Sequence, residues 1–584
     1  MDLDVAIVGG GVSGAYSAWR LQQDRGDKEA IGLFEYSDRI GGRLYTTTLP
    51  GLPNVKAELG GMRYIPTQHI MVADLVKHLN LQTKDFPMGA PAPVGSNCNL
   101  FYLRGKHLRL HELDDPEKVP YNLAWSERGL GPTNLQVQVM NNLYPGFANL
   151  NLCQQMQVKV FGKPMWKYGF WDLMFRVLSN EGYQFMRDAG GYEANVANAC
   201  AVTQLPATEY SDETQFLTLA EGYDQLPITL ARDFNDKFPG KTPKGKRVFM
   251  NHRLEEIILG TGDWPYTLIF RQTHTDDEKQ TRDRDDDKVV KVRCKKLILA
   301  MPRRSLELIK SDFFDDPWLK KNIPSVLIQS AFKLLLAYET PWWRSQGLVA
   351  GRSVTDLPVR QVYYFGTEGE QESGEPFLNS LLMASYNDLG TVPFWKGLER
   401  GKAYEGYRPA CLEGGVENVL PIAPKTGFRA TAEMVDVANR QVAQVHALPQ
   451  IPDPYAAVYH TWNEDPYGGG WHEWKANFRL DQIMCQMRKP VAKYDIHIVG
   501  EAYSLGQGWV EGALDIAEST LQDFFGMKPP TWLDPSYALM PNPCPPGDPC
   551  TGCGTDLDAC LPCFDCGTML SSITPNCLCA VEEG

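Results

Sequence analysis

The amino terminus opens on an apolar run, Asp4-Val5-Ala6-Ile7-Val8. It passes straight into Gly9-Gly10-Gly11-Val12-Ser13-Gly14 and then into helix-forming residues from Ala15 to Leu21. Gly9 permits a tight turn off a strand. Gly11 lets a pyrophosphate approach the backbone. Gly14 lets the following helix lie close on the sheet, with its free N–H groups and dipole toward phosphate. Ser13 falls in the same turn and is counted with the phosphate contacts. Ile31-Gly32-Leu33-Phe34-Glu35 reads as the next strand. Its acid lies at the distance, about twenty residues on, at which a carboxylate accepts hydrogen bonds from a ribose hydroxyl. A glycine pattern alone is weak evidence. Strand, glycines, helix and acid in this order predict a parallel α/β dinucleotide-binding domain.

Asp38-Arg39-Ile40-Gly41-Gly42-Arg43 follows directly. The stretch from Glu35 to Arg43 resembles the flavin-containing amine oxidase family, and the resemblance implies that Arg43 contacts the pyrophosphate of FAD. A second segment carries the same resemblance. A strand over 494–499 leads to Gly500-Glu501 and to Gly508-Trp509-Val510-Glu511-Gly512-Ala513, opening a helix that runs to about Phe525. The N–H groups at such a helix start suit the flavin edge, where negative charge gathers on reduction. By resemblance Glu501 meets the ribitol and the Val510 amide faces flavin O2. Leu254, in the strand-like segment 248–257, is expected at the adenine.

Two nucleotide signatures some 490 residues apart must meet in space. The expected fold class is therefore α/β. A Rossmann-type FAD-binding domain is assembled from 1–64, 216–320 and 488–527. A mixed-sheet substrate domain (65–109 and 321–487), a helical subdomain (110–215) and a Pro/Cys-rich tail (528–584) complete the chain.

Length and composition bound the rest. A chain of 584 residues exceeds one ordinary core. A net charge of −14 without a basic patch argues against nucleic acid. No run of about 18 apolar residues suggests a membrane span, and the first strand begins where a secretory signal would stand. A cytoplasmic location and a homodimer are the expectations. Eight cysteines crowd into 544–579, among them Cys550, Cys553, Cys560 and Cys563 in paired C-x2-C spacing. Such pairs can hold zinc, and a disulfide-stapled or disordered tail stays open beside that reading.

The reaction is read from single residues. Glu58-Leu59-Gly60-Gly61-Met62-Arg63 places a glycine pair, Gly60 and Gly61, with Met62, where the family packs against the flavin ring. Members acting on amino acids are similar in having an arginine here. A guanidinium grips a carboxylate with two parallel hydrogen bonds, so Arg63 is assigned the substrate carboxylate. Lys333, in the apolar strand 330–336, resembles the lysine that assists reaction with oxygen. Trp462 is expected beside the ring. Trp509 is one wall of the cage around the substrate amine, and Trp471 or His472 is the other, with Gly508 between. Tyr363 and Tyr364 resemble pocket-lining residues, but strand alternation sends them to opposite faces.

The resemblance implies FAD-dependent oxidative deamination of an L-amino acid to a 2-oxo acid, ammonia and hydrogen peroxide, with oxygen as co-substrate. It also implies noncovalent FAD, because Trp471 stands where a tethering cysteine would be. An amino acid monooxygenase, an amine or polyamine oxidase, and a flavin-bearing binding protein with a metal-binding tail remain the alternatives.

Overall fold

The computed structural model describes residues 1–26, 28–88, 99–204, 214–236, 247–276, 280–286, 288–369, 379–409, 428–463 and 468–539. Two large sheets organise them. The first has at its heart the strand Asp2–Val8, parallel to Ile31–Phe34 on one side and to Val289–Leu299 on the other. Val248–Phe249 extends one edge, and Ile496–Ile498 pairs in parallel with the far end of 289–299. These strands are apolar on both faces because helices cover them. Val12–Arg25, Gln225–Asp236 and Val510–Phe525 pack together there. The two distant signatures thus lie on strands that flank 289–299 on either side.

The long strand Val289–Leu299 also pairs antiparallel with Tyr266–Thr275, which pairs with His252–Leu259. The charged stretch near 276–288 joins two of these strands, and its described part includes the short strand Thr281–Asp283.

The second sheet runs in the order 428–429, 456–461, 331–338, 380–388, 361–367, 352–355, 100–103, 106–109. One face carries a cluster including Phe332, Leu334, Tyr364 and Trp395. The other carries Leu335, Tyr363, Met383 and Trp462, and packs toward Leu59 and Met62. Between 110 and 204 the chain is mostly helical, with helices at 132–143, 152–157, 170–177 and 180–189.

The Pro-rich segment that opens the tail, from 528 to 539, stays on the body. Leu533 is buried, and Trp532 packs against His78 with ring centres 5.7 Å apart. The cysteines proposed for zinc lie outside the described residues. Among the described residues no helix is long and apolar enough to cross a membrane, and no cluster of three or more potential ligands could hold a metal ion.

Candidate active site

A cavity of about 520 Å³ opens between the two sheets, lined by the glycine loop at one end and by Arg63, Tyr192 and Trp509 at the other. Its floor is backbone. Gly9 has φ +114°, and a Cβ there would stand 2.2 Å from the Ala300 carbonyl oxygen. A Cβ on Gly14 would stand 1.8 Å from the Gly9 oxygen. Packing alone therefore demands glycine at both. Gly11 is different: its Cβ would touch only Gly42 Cα, at 3.7 Å. Nothing in the protein requires glycine there, which is the pattern of a surface kept open for a ligand. No side chain caps the helix that starts at Val12 and no acid sits in its first turn, so its leading N–H groups are available to an anion. Gly41 donates its N–H to the Gly10 oxygen at 2.9 Å and joins the second glycine pair to the first.

Glu35 lines the cavity and also holds its rim together. Its carboxylate accepts from Gly10 N at 2.6 Å, Ser37 N at 2.9 Å and Ser37 Oγ at 2.8 Å. Glu501 has a matching role beside Arg43, with Gly500 next to Ser13 of the glycine loop. It is paired with Arg43, accepts from His472 Nδ1 at 2.6 Å, and accepts from Gly508 N at 3.2 Å. Burial pushes this carboxyl up, but Arg43 and His472 outweigh it and hold it at about 2. Arg43, Leu254 and Val510 all line the cavity.

Strand alternation separates Trp471 from His472. Trp471–Trp474 pairs with Val326–Gln329. Trp471 and Glu473 face the cavity, whereas His472 is fully buried behind it against Glu501. His472 is therefore not a wall residue. Trp471 lies beside Gly508, whose Cβ would meet its ring at 3.6 Å, and Trp509 follows at the start of helix 510–525.

Arg63 lines the cavity and is 5% exposed. Its guanidinium lies 4.5 Å from the Phe216 ring centre, 5.4 Å from Phe86 and 5.7 Å from Tyr363. Nη1 donates to Met88 Sδ at 3.0 Å. Tyr363 stands behind it, its hydroxyl 3.0 Å from that of Tyr192, which does line the cavity. Tyr364 belongs to the opposite face of the sheet, bonded to Ser353 Oγ at 2.7 Å and His446 Nε2 at 2.8 Å. The pocket role expected of it fails for that reason.

Lys333 is buried on strand 331–338. Its Nζ donates to the carbonyls of Gly60 at 2.5 Å and Glu58 at 3.2 Å. It lies 4.7 Å from the Tyr386 ring centre, and it reaches the cavity through Gly60 and Tyr386, both of which line it. Burial, joined by Arg63, lowers the ammonium to about 7 against the pull of Glu58. Trp462 is likewise one layer back, its Nε1 donating to the Leu59 carbonyl at 2.7 Å.

Sequence reasoning missed several cavity residues. Tyr192, Asn195, Thr203 and Gln204 come from the helical region, where side chains converge without a local pattern. Glu473 could have been found by extending the alternation from Trp471 by two residues. Its carboxyl is pushed up to about 8 by burial, with Asp388 adding and Gln329 opposing.

A family model for flavin-containing amine oxidoreductases matches residues 12–391. Aplysianin-A of Aplysia kurodai is 30% identical over 545 residues, covering 91% of this chain and 92% of that protein. An L-amino-acid oxidase of Mus musculus is 25% identical over 526 residues, covering 87% of this chain and 69% of that one. Among solved structures, a putrescine oxidase bound to putrescine superposes with a TM-score of 0.60 at 18% identity, covering 90% of this chain and 99% of that one.

Proposed function

The chain belongs to the family of flavin-containing amine oxidoreductases, and from that premise we propose that it oxidatively deaminates an L-amino acid to the 2-oxo acid, ammonia and hydrogen peroxide. The observation that carries the substrate class is Arg63. It is a buried guanidinium lining the cavity, at the opposite end from the glycine loop. A simple amine has nothing to offer such a group, whereas an α-carboxylate takes two parallel hydrogen bonds from it.

The cavity fits noncovalent FAD. Gly9, Gly11, Ser13 and Gly42 would receive the pyrophosphate with Arg43, Glu35 the ribose, Leu254 the adenine, and Glu501 with Val510 the flavin end. Bound there, the flavin would supply the hydride acceptor for the substrate and a two-electron donor for oxygen.

The chain's own residues do the positioning. Arg63 fixes the carboxylate and so fixes Cα. Trp471 and Trp509 wall the amine and exclude water from it. Lys333 holds a positive charge close to Gly60, where developing negative charge on oxygen is stabilised. Glu473, Gln204 and Asn195 give the chamber uncharged hydrogen-bonding groups, which suit a side chain that carries donors.

A peroxide-coupled screen of the twenty amino acids and several simple amines tests the reading. Amino acids should give peroxide and amines should not. Arg63→Ala should lose kcat/KM by the equivalent of about 2–5 kcal/mol, mostly in KM. Turnover of putrescine equal to that of every amino acid, or near-normal kcat/KM in the variant, would overturn it.

A further inference from the structure

The cage wall Trp509 is braced from outside the cavity by a chain of contacts that ends in the C-terminal segment. His69 packs on Trp509 with ring centres 4.5 Å apart. Its Nδ1 accepts from Ile65 N at 3.0 Å, which fixes the ring. His69 is also the N-cap of helix Ile70–His78, and its own side chain does not cap that helix. The cap comes from elsewhere. Glu511, two residues beyond Trp509, accepts from Met71 N and Val72 N, both at 2.9 Å. One carboxylate thus ties the start of helix 510–525 to the start of helix 70–78, with Trp509 and His69 in contact beside the tie.

The segment after helix 510–525 then closes over this joint. The Tyr537 side chain lies beside the Glu511 carboxylate and favours its charged form. Asp534 N donates to Asp74 Oδ2 at 2.8 Å. Trp532 stacks on His78 and meets the rings of Trp19 and Tyr16, each at 6.4 Å. Leu533 is buried, and the Lys528 carbonyl accepts from Arg20 at 2.9 Å. Contacts of this number and burial are more than a trailing end makes.

We propose that residues 528–539 are a latch on the substrate pocket, in which Tyr537 and Glu511 are positioning residues that hold helix 70–78, and through His69 the Trp509 wall, in the geometry that receives substrate. The assignment of Trp509 as a substrate wall rests on the amino acid oxidase reading. The brace itself does not. Coupling runs through contiguous packed groups, and the latch meets helix 12–25 only past its first turn, at Tyr16, Trp19 and Arg20, away from the N–H groups that face the glycine loop. Loss of the latch should therefore loosen substrate binding and leave the cofactor in place.

The test uses the full-length holoenzyme with Tyr537→Phe, Trp532→Ala and their double variant. Benzoate serves as the carboxylate probe, its Kd read from the flavin absorbance. Deuterium uptake is followed over peptides spanning 65–78 and 505–512, and over 528–539 itself as the reference. The expected result is a threefold or larger rise in benzoate Kd and in KM. Uptake should be faster in both peptides, while flavin content stays normal. Glu511→Gln, which keeps one strong acceptor, should fall between wild type and Glu511→Leu. The proposal is overturned if faster exchange stays within 528–539, or if Tm falls while benzoate Kd and KM do not move. If no amino acid is oxidised at all, the exchange data still decide the brace, and only the role of Trp509 toward substrate is lost.

Discussion

The cofactor end and the substrate end of one cavity are built by different means. At the cofactor end the surface is mostly main chain: two glycine pairs, a strand end and two helix starts, with Glu35 and Glu501 binding the rims. At the substrate end the surface is side chains from five separated stretches, around Arg63, Tyr192, Tyr386, Glu473 and Trp509. A main-chain surface needs particular residues at fixed spacing, because glycine is demanded by local turns and close approach. A side-chain surface needs only that the fold bring suitable groups together. The first leaves a readable local pattern and tolerates little change. The second leaves almost none and can be altered one contact at a time.

The sharpest way to break that distinction lies in two glycines three residues apart. Gly14→Ala places a Cβ 1.8 Å from the Gly9 carbonyl oxygen. Backbone cannot yield there as a flexible side chain would, and overpacking of this kind costs about 1–3 kcal/mol or more. Purified Gly14→Ala is expected to be colourless or insoluble. Gly11→Ala meets only Gly42 Cα at 3.7 Å. It should fold with a near-normal Tm as apoprotein while flavin affinity falls at least tenfold. Flavin titration and thermal melts of the apoproteins separate the two. If Gly11→Ala binds flavin normally, the open face at Gly11 is not the phosphate floor.

Lys333 lies between the two regimes, a side chain that acts through main-chain carbonyls. Its ammonium is lowered to about 7, so its charge is present below that pH and lost above it. In stopped-flow experiments the oxidative half-reaction should slow as pH rises through about 7. Lys333→Met should be slow at every pH, on the order of 10²-fold below wild type at pH 6. The reductive half-reaction should change far less. Equal slowing of both would make Lys333 a shaper of the pocket only.

How far the sequence could be read follows the same division. Gly9 to Gly14, Glu35, Arg43, Glu501 and Val510 were legible because each sits in a short pattern tied to a strand end or a helix start. All of them line the cavity or pack directly against it. Arg63 and Trp509 were legible by adjacency to such patterns. His472 and Tyr364 went astray for one shared reason. Neighbouring strand residues point to opposite faces, and a motif gives the position of a pair before it gives the face. Tyr192 and Gln204 were not legible at all, since their place depends on how the helical region docks against the sheet. The start of the tail was misread because prolines forbid a regular helix or central strand but do not prevent packing, and Trp532 and Leu533 pack.

The smallest expected effect is the most specific to the substrate end. Glu473 has its carboxyl raised to about 8 by burial, against an ordinary 4.5 in the unfolded chain. Between those values the unfolded state has released the proton and the folded state has kept it. The group therefore costs the fold progressively more stability as pH rises from about 4.5 to about 8, and the cost is constant above. Glu473→Gln removes that slope. The variant should match wild type in Tm near pH 5, and its advantage should grow up to pH 8 and then level. A cationic side chain bound beside Glu473 favours the ionised carboxylate, and a hydrogen bond to a charged group contributes about 1.5–3 kcal/mol. Glu473→Gln should accordingly lose about tenfold or more in kcat/KM on lysine and arginine and much less on leucine. Equal losses on all three, or a Tm difference that does not change with pH, would mean that Glu473 is wall and not a reader of the side chain.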